Sequence, residues 1–208
     1  MKRGSWGAGE TGGGTVLSVS PRVGSREKNL LDLFSTDAVP ANASLRKIRA
    51  GRYVRAAGRK VGMDITWVTD RIAVGGGIWN ADNMAAAARA GITHIIDMQI
   101  EFDDTPLAVP VGISVCWNPV DDDFEPKPAN VFRRGVEFAL AALKQDGTKV
   151  LVHCAAGVHR APMMALALLA VLGWTVEDAM ELIERKRPVA DFADVYVQSV
   201  ERFLGGRE

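Results

Sequence analysis

The stretch that decides the fold is KVLVHCAAGVHRAPMMALALL, residues 149–169. It opens with an apolar run of strand length and closes with an apolar run of helix length. KVLVHC is typical of a strand that is buried on both faces in the centre of a sheet. APMMALALLAVLG is typical of a buried helix with a proline in its first turn, where the missing N–H does no harm. The sequence therefore predicts a strand, a loop AAGVH and a helix that begins at about Arg160.

Strand-length and helix-length patterns alternate along the rest of the chain after Met63. ITWVTDRIAVGG predicts two short strands, and THIIDMQ and ISVCWNP predict one strand each. WNADNMAAAARAG predicts a helix capped by Asn80 or Asp82, and NVFRRGVEFALAALKQDG predicts a second helix. TVEDAMELIERKRP predicts a helix capped by Thr175, and VYVQSVERFL predicts the last one. This order indicates an α/β domain in which helices connect parallel strands.

The composition favours one globular domain without a disulfide framework. The chain has 208 residues, of which 48% are hydrophobic, enough for one ordinary core. Its two cysteines, Cys116 and Cys154, lack the close partners of a zinc site and indicate a reducing environment. The apolar stretch from Ala161 to Trp174 is too short to span a bilayer. We expect a soluble, cytoplasmic protein with no metal, no other cofactor and no membrane partner.

The net charge of zero hides a basic N-terminal part. Residues 1–62 contain twelve Lys and Arg against four Asp and Glu, and their first half is rich in Gly and Ser without periodicity. Such a composition predicts a disordered basic extension, followed by a folded domain at residues 63–208. An alternative is a basic helix carrying Arg46, Arg49, Arg52 and Arg55 against an anionic surface or nucleic acid. We favour the solvated extension and expect no nucleic-acid partner.

The loop between the central strand and the apolar helix has the properties of a phosphate cradle. A helix N-terminus presents free N–H groups and the positive end of the helix dipole to an anion. Gly157 allows close approach of the backbone, and Ala155 and Ala156 leave the amides unobstructed. Arg160 offers a planar fork of donors for two phosphoryl oxygens. This positive field favours the thiolate form of Cys154, which makes Cys154 a candidate nucleophile.

The segment HCAAGVHRAP resembles the Cys-x5-Arg signature of the protein tyrosine phosphatase superfamily, and most of all its dual-specificity branch. The resemblance extends from about Ile65 to Leu204. It implies a mixed, largely parallel central sheet flanked by helices, with residues 63–208 as the catalytic domain. It also implies that Cys154 attacks phosphorus to form a cysteinyl phosphate and that His153 orients the loop. The phosphate-binding residues implied by the resemblance are Ala155, Ala156, Gly157, Val158, His159 and Arg160.

In this family an aspartate on a neighbouring loop donates a proton to the leaving group and later activates water. The candidates here are Asp121, Asp122 and Asp123 in NPVDDDFEP, between a predicted strand and a predicted helix. The spacing of Asp122 from Cys154 is similar to that of the family's acid. We therefore expect Asp122 to be the acid, with Asp121 and Asp123 as alternatives.

Two features of the loop depart from the commoner pattern of the family. Ala161 stands where most members have Ser or Thr, whose hydroxyl helps the cysteine leave as thiolate, so the second step is expected to be slow. The loop also lacks the lysines that hold extra phosphates in phosphoinositide and inositol phosphatases. His159 is expected to face outward from the loop, with contact to a substrate as the alternative.

The resemblance implies a cysteine-dependent phosphatase whose partners are phosphorylated proteins carrying phosphotyrosine, with phosphoserine and phosphothreonine as further substrates. Plant glucan phosphatases share the RAP segment, so a glucan or another non-protein phosphomonoester is an alternative substrate. A phosphate-binding module without catalytic activity is the alternative from a different class.

Overall fold

Five strands form the central sheet of the protein, whose computed structural model describes residues 62–206. The strands are β1 Ile65–Trp67, β2 Ile72–Gly75, β3 His94–Asp97, β4 Ser114–Trp117 and β5 Val150–His153. The helices are α1 Ala81–Arg89, α2 Thr105–Ala108, α3 Ala129–Leu143, α4 Arg160–Val171, α5 Val176–Lys186 and α6 Asp194–Gly205.

The sheet is mixed and largely parallel, as predicted. Its strands lie in the order β1-β2-β5-β3-β4, where β1 runs antiparallel to β2 and every other neighbouring pair is parallel. β5 occupies the centre and all four of its residues are buried. This position explains the apolar run VLV, because a central strand covered on both faces has no polar side.

The register of the parallel strands aligns their carboxyl ends. His153 at the end of β5 lies opposite Gly75 of β2 and Asp97 of β3, and Asp97 lies opposite Trp117 of β4. The segments that follow these residues therefore leave the sheet along one edge. This is the edge at which α/β proteins form their ligand sites.

Helices cover both faces of the sheet. On one face α4 is buried from Arg160 to Leu169 and lies among α3, α5 and α6. Such an enclosed helix has no solvent-facing side, which is why its sequence is apolar all round. On the other face Met84 and Ala87 of α1 and Ala108 of α2 pack against the sheet. The fold thus has three layers with the sheet in the middle.

Most elements confirm the sequence-based predictions. The side chain of Asn80 caps α1, the side chain of Thr175 caps α5, and α4 begins at Arg160. The sequence did not predict α2 or the 3₁₀ turn Val109–Val111 that follows it. Neither is long enough to show a hydrophobic period.

The predicted basic extension, residues 1–62, lies outside the described residues except for Gly62 and stays a prediction. Within residues 62–206, no helix has both the length and the apolar character that a membrane crossing requires.

Candidate active site

The loop from Cys154 to His159 connects β5 to α4 and curls around its first residue. The Cys154 side chain is buried, and the N–H of Gly157 donates a hydrogen bond to its Sγ over 3.2 Å. Gly157 has φ +66°, and a Cβ at this position would lie 2.5 Å from the carbonyl oxygen of Gly75. Only glycine fits there without strain. The loop therefore presents the N–H of Gly157 to the sulfur.

Arg187, at the end of α5, fixes the outer side of this loop. Its Nε donates to the carbonyl oxygen of Gly157 over 2.7 Å, and its Nη1 donates to Asp64 Oδ1 over 2.9 Å and to Thr66 Oγ1 over 3.0 Å. The sequence pattern indicated only a cation in the last turn of a helix. The structure instead buries Arg187 between β1 and the loop.

Arg160 begins α4, and a carboxylate from the end of β3 holds its guanidinium. The two Nη atoms donate to Glu101 over 2.9 and 2.8 Å, and Nη1 also donates to the carbonyl oxygen of Val120 over 3.0 Å. The hydrogen bonds from Arg160 lower the pKa of Glu101. Burial lowers the pKa of Arg160, but Glu101 and the charges of Cys154 and Asp122 outweigh this effect and raise it overall.

The buried Nε of Arg160 makes no hydrogen bond within the described residues, although Asp122 Oδ2 lies 3.5 Å from it. Buried donors are normally paired, so an unpaired one at a helix N-terminus indicates a place for an anionic ligand. With Glu101 on the Nη side, a phosphoryl oxygen would be bound through Nε. Glu101 was not predicted from the sequence, although its position just after a parallel strand was a usable signal.

Among the three consecutive aspartates, the structure brings Asp122 to the loop. Its Oδ2 lies 3.5 Å from Arg160 Nε, and its Oδ1 accepts a hydrogen bond from the Tyr196 hydroxyl over 3.0 Å. Asp123 instead pairs with Lys127, whose hydrogen bond lowers the pKa of Asp123. Asp121 is exposed and accepts from the N–H of Asp122. The arrangement agrees with the preference for Asp122.

His159 does not face outward as expected, and this prediction is wrong. Its side chain is 20% exposed, with Nδ1 3.2 Å from Asp122 Oδ2 and Nε2 3.3 Å from Asp191 Oδ2. The ring of Phe124 meets the imidazole edge-on at a centroid distance of 5.0 Å. Carboxylates on both sides, which come from distant parts of the chain, draw the imidazole inward.

A buried polar cluster lies beneath the loop. His153 Nε2 is 3.0 Å from Asp104 Oδ2 and 3.6 Å from Asp97 Oδ1, and all three side chains are fully buried. Burial raises the pKa of Asp97 to about 7, although the charge of His153 acts in the opposite direction. The ligand atoms of the three residues lie within 4.8 Å of one another, so they have the spacing of a metal site. Their contacts with one another already form a hydrogen-bonded support for β5 and the loop.

Four apolar side chains, of which Trp79, Ile100 and Phe124 are exposed, lie in the segments that follow β2, β3 and β4. Trp79, which follows β2, packs against Phe102 at a centroid distance of 6.1 Å, and Ile100 is exposed nearby in sequence. Phe124 follows Asp122 and stacks on Tyr196. We call Trp79, Ile100, Phe102 and Phe124 the apolar rim.

A sequence profile described as "Dual specificity phosphatase, catalytic domain" matches residues 78–201, which include the loop, Asp122 and α4. The chain belongs to the dual specificity phosphatase family. Its loop is the Cys-x5-Arg loop of that family, and the recognition made from HCAAGVHRAP is confirmed.

Curated relatives of this phosphatase include two protein phosphatases. Protein tyrosine phosphatase type IVA 3 of Mus musculus is 35% identical over 47% of this chain and 56% of the relative. Dual specificity protein phosphatase 5 of Rattus norvegicus is 28% identical over 55% of this chain and 29% of the relative. The chain therefore matches only part of the length of either relative.

Solved structures share the fold at low sequence identity. The crystal structure of PTPMT1 in complex with PI(5)P matches with a TM-score of 0.61 and 19% identity, over 68% of this chain and 95% of that one. Human DUSP28 matches with a TM-score of 0.57 and 21% identity, over 70% of this chain and 96% of that one. Both confirm the phosphatase fold.

Replacing Arg187 should weaken both the phosphatase loop and the fold. In Arg187→Lys a single ammonium cannot serve Gly157, Asp64 and Thr66 together, so acceptors that include the buried carbonyl oxygen of Gly157 lose their partner. We expect a loss of about 1–3 kcal/mol in the free energy of unfolding, with reduced turnover, measured by urea denaturation and aryl phosphate hydrolysis. The control Arg185→Lys changes an exposed arginine of the same helix. It should change neither the free energy of unfolding nor turnover. Equal effects of the two variants would contradict the role of Arg187.

The raised pKa of Asp97 makes stability depend on pH. Between the usual value of 3.8 and about 7, the folded protein keeps a proton on Asp97 that the unfolded chain loses. The free energy of unfolding should therefore fall as pH rises through this range. Asp97→Asn removes this titration, so the stability of the variant relative to wild type should increase from pH 4 to pH 7. Thermal unfolding of both proteins across that pH range measures the difference in stability. A difference that does not change with pH would contradict the prediction.

Proposed function

We propose that the protein is a cysteine-dependent protein phosphatase that hydrolyses phosphotyrosine, with phosphoserine and phosphothreonine as further substrates, through a cysteinyl-phosphate intermediate. The observation that carries this proposal is the arrangement of Cys154, Arg160 and Asp122. Cys154 lies against the N–H of Gly157 at the start of α4, and the unpaired Nε of Arg160 lies 3.5 Å from Asp122.

In the first step, Cys154 Sγ attacks phosphorus as a thiolate, forming the S–P bond while the P–O bond to the leaving group breaks. The loop N–H groups and Arg160 Nε hold the remaining phosphoryl oxygens, whose negative charge they stabilise. Before the attack, the N–H of Gly157 donates a hydrogen bond to this sulfur atom.

Asp122 supplies the proton that the leaving oxygen needs. The carboxyl group comes from the loop after β4, and contacts with Arg160, His159 and Tyr196 direct it toward the cradle. In the second step Asp122 accepts a proton from the water that attacks phosphorus, and Cys154 leaves as thiolate. The same residue thus acts first as an acid and then as a base.

The charges around the cradle favour an aryl phosphate over a polyphosphorylated ligand. The segments 76–80, 98–104, 119–128 and 189–193 contain eight acidic residues, and their one basic residue, Lys127, is paired with Asp123. This acidic surround repels additional phosphates. The apolar rim, in contrast, suits the aromatic ring of phosphotyrosine. PI(5)P in the PTPMT1 crystal structure therefore does not imply the same ligand for this chain.

The nucleophile and the acid can be tested separately. Cys154→Ser should abolish turnover but retain phosphate binding, because the cradle is unchanged. Asp122→Asn should lower the hydrolysis of phenyl phosphate by about 100-fold or more, the usual contribution of a general acid. Asp121→Asn is the matched control and should have little effect. Steady-state kinetics with the purified full chain measures all three, and a larger loss in Asp121→Asn would overturn the assignment of Asp122.

A substrate panel tests the substrate class of the same enzyme. We expect phosphotyrosine peptides to be hydrolysed faster than phosphoserine peptides, phosphoglucan or phosphoinositides, and basic flanking residues to favour turnover through the acidic surround. Faster hydrolysis of phosphoglucan would favour the carbohydrate alternative. An absence of turnover with every phosphate ester would favour the phosphate-binding module.

Ala161 provides a test of the second step. Ala161→Ser restores the hydroxyl that most members of the family have and should raise the steady-state rate. A hydrogen bond to a charged sulfur is worth about 1.5–3 kcal/mol, or roughly 10- to 150-fold in rate if it forms fully as the thiolate departs. The wild type should show a burst of aryl product before slower turnover. Rapid-mixing kinetics on both proteins measures this, and the absence of both burst and acceleration would show that the first step limits turnover.

A further inference from the structure

His159 places an imidazole between two carboxylates at the mouth of the cradle. Nδ1 is 3.2 Å from Oδ2 of Asp122, and Nε2 is 3.3 Å from Oδ2 of Asp191. The two acids come from different segments, one after β4 and one after α5. The N–H of Asp191 also donates to the carbonyl oxygen of Val158 over 2.8 Å, which fixes that segment to the loop.

The number of protons in this arrangement is set by its contacts. The hydrogen bond between Nδ1 and Asp122 Oδ2 needs one proton, which either group can carry, whereas Nε2 lies only at ion-pair distance from Asp191. With an N–H on Nε2, the pair makes this hydrogen bond in two states. In the first state, His159 is protonated and Asp122 is a carboxylate. In the second state, His159 is neutral with its proton on Nε2, and Asp122 is protonated and donates to Nδ1.

We propose that His159 and Asp122 act as one proton-holding pair, in which His159 keeps the proton that Asp122 delivers to the leaving group. This inference rests on the proposed function of Asp122. The proton passes from Nδ1 to the Asp122 carboxylate and from that carboxyl group to the leaving oxygen as the P–O bond breaks. When water attacks the cysteinyl phosphate, its proton returns to the pair through Asp122, so the cycle is balanced.

The groups around the pair explain why an imidazole is needed. Arg160 Nε and the Tyr196 hydroxyl both face Asp122, and Asp191 faces the other side of His159. Glu101 is occupied by Arg160, and Lys127, which lies over the Tyr196 ring, is paired with Asp123. An imidazole holds a proton to a higher pH than a carboxylate does.

The first arm of the test is the pH dependence of kcat/KM for phenyl phosphate, with the full chain and His159→Asn. The asparagine amide can occupy the place of Nδ1 and donate to Asp122, but it does not exchange a proton in this pH range. We expect the alkaline fall in activity to move down by about one pH unit or more, which lowers kcat/KM about tenfold at pH values above the new midpoint. KM should change little.

Two controls separate proton holding from mere positioning. His94→Asn changes a histidine on β3 outside the site and should leave the pH profile as in wild type. An aryl phosphate with a strongly acidic phenol needs little proton donation, so the difference between His159→Asn and wild type should disappear with it. If His159→Asn shows the wild-type profile with phenyl phosphate, the imidazole only positions Asp122 and the proposal is overturned.

The second arm of the test measures the protonation of His159 directly, without catalytic turnover. In an NMR titration, the His159 resonance, assigned by its loss in His159→Asn, should stay protonated to a higher pH in wild type than in Asp122→Asn. Equal titration in the two proteins would overturn the pair while leaving the phosphatase mechanism intact. A wild type that hydrolyses no aryl phosphate would instead overturn the proposed function, and the catalytic role of the pair with it.

Discussion

The buried guanidinium of Arg160 needs hydrogen-bond partners. The segments that follow β3 and β4 must meet at the sheet edge to supply them. A buried charge is costly unless its donors are paired. Glu101 from the end of β3 and the carbonyl oxygen of Val120 from the segment after β4 satisfy the Nη atoms. Both segments are thereby fixed against the start of α4. The Nε edge is left for an anion, and the position of Asp122 beside it follows from the same constraint.

Short-range features of the site were predictable from the sequence, and long-range ones were not. Cys154 and Arg160 are close along the chain, and the strand-loop-helix pattern around them places them together. Glu101 and Arg187 act on the same loop from other elements, and only the strand register and the path of α5 bring them there. The three adjacent aspartates illustrate the limit. Spacing favoured Asp122, but its direction depends on Tyr196 of α6, which no local pattern reveals.

The error about His159 has a definite physical cause. An imidazole in a loop before a helix is ordinarily solvated, but here Asp122 and Asp191 lie on its two sides. Asn80 and Thr175 cap α1 and α5, as Asn and Thr commonly do, whereas α4 begins after His159 and has no side-chain cap. The first N–H groups of α4 are therefore not occupied by a side-chain cap and can bind an anion. The missing cap and the inward imidazole are two consequences of one side-chain orientation.

The charge balance at the cradle links substrate binding to the proton on Asp122. Glu101 and Asp122 both lie within ion-pair distance of the Arg160 guanidinium, and the charge of Cys154 also acts on it. On the proposed mechanism, a phosphoryl group bound at Arg160 Nε adds negative charge beside Asp122 Oδ2, which lies 3.5 Å from that nitrogen. Repulsion between like charges favours the protonated carboxyl. The substrate itself therefore shifts the shared proton from His159 to Asp122, where the leaving group requires it.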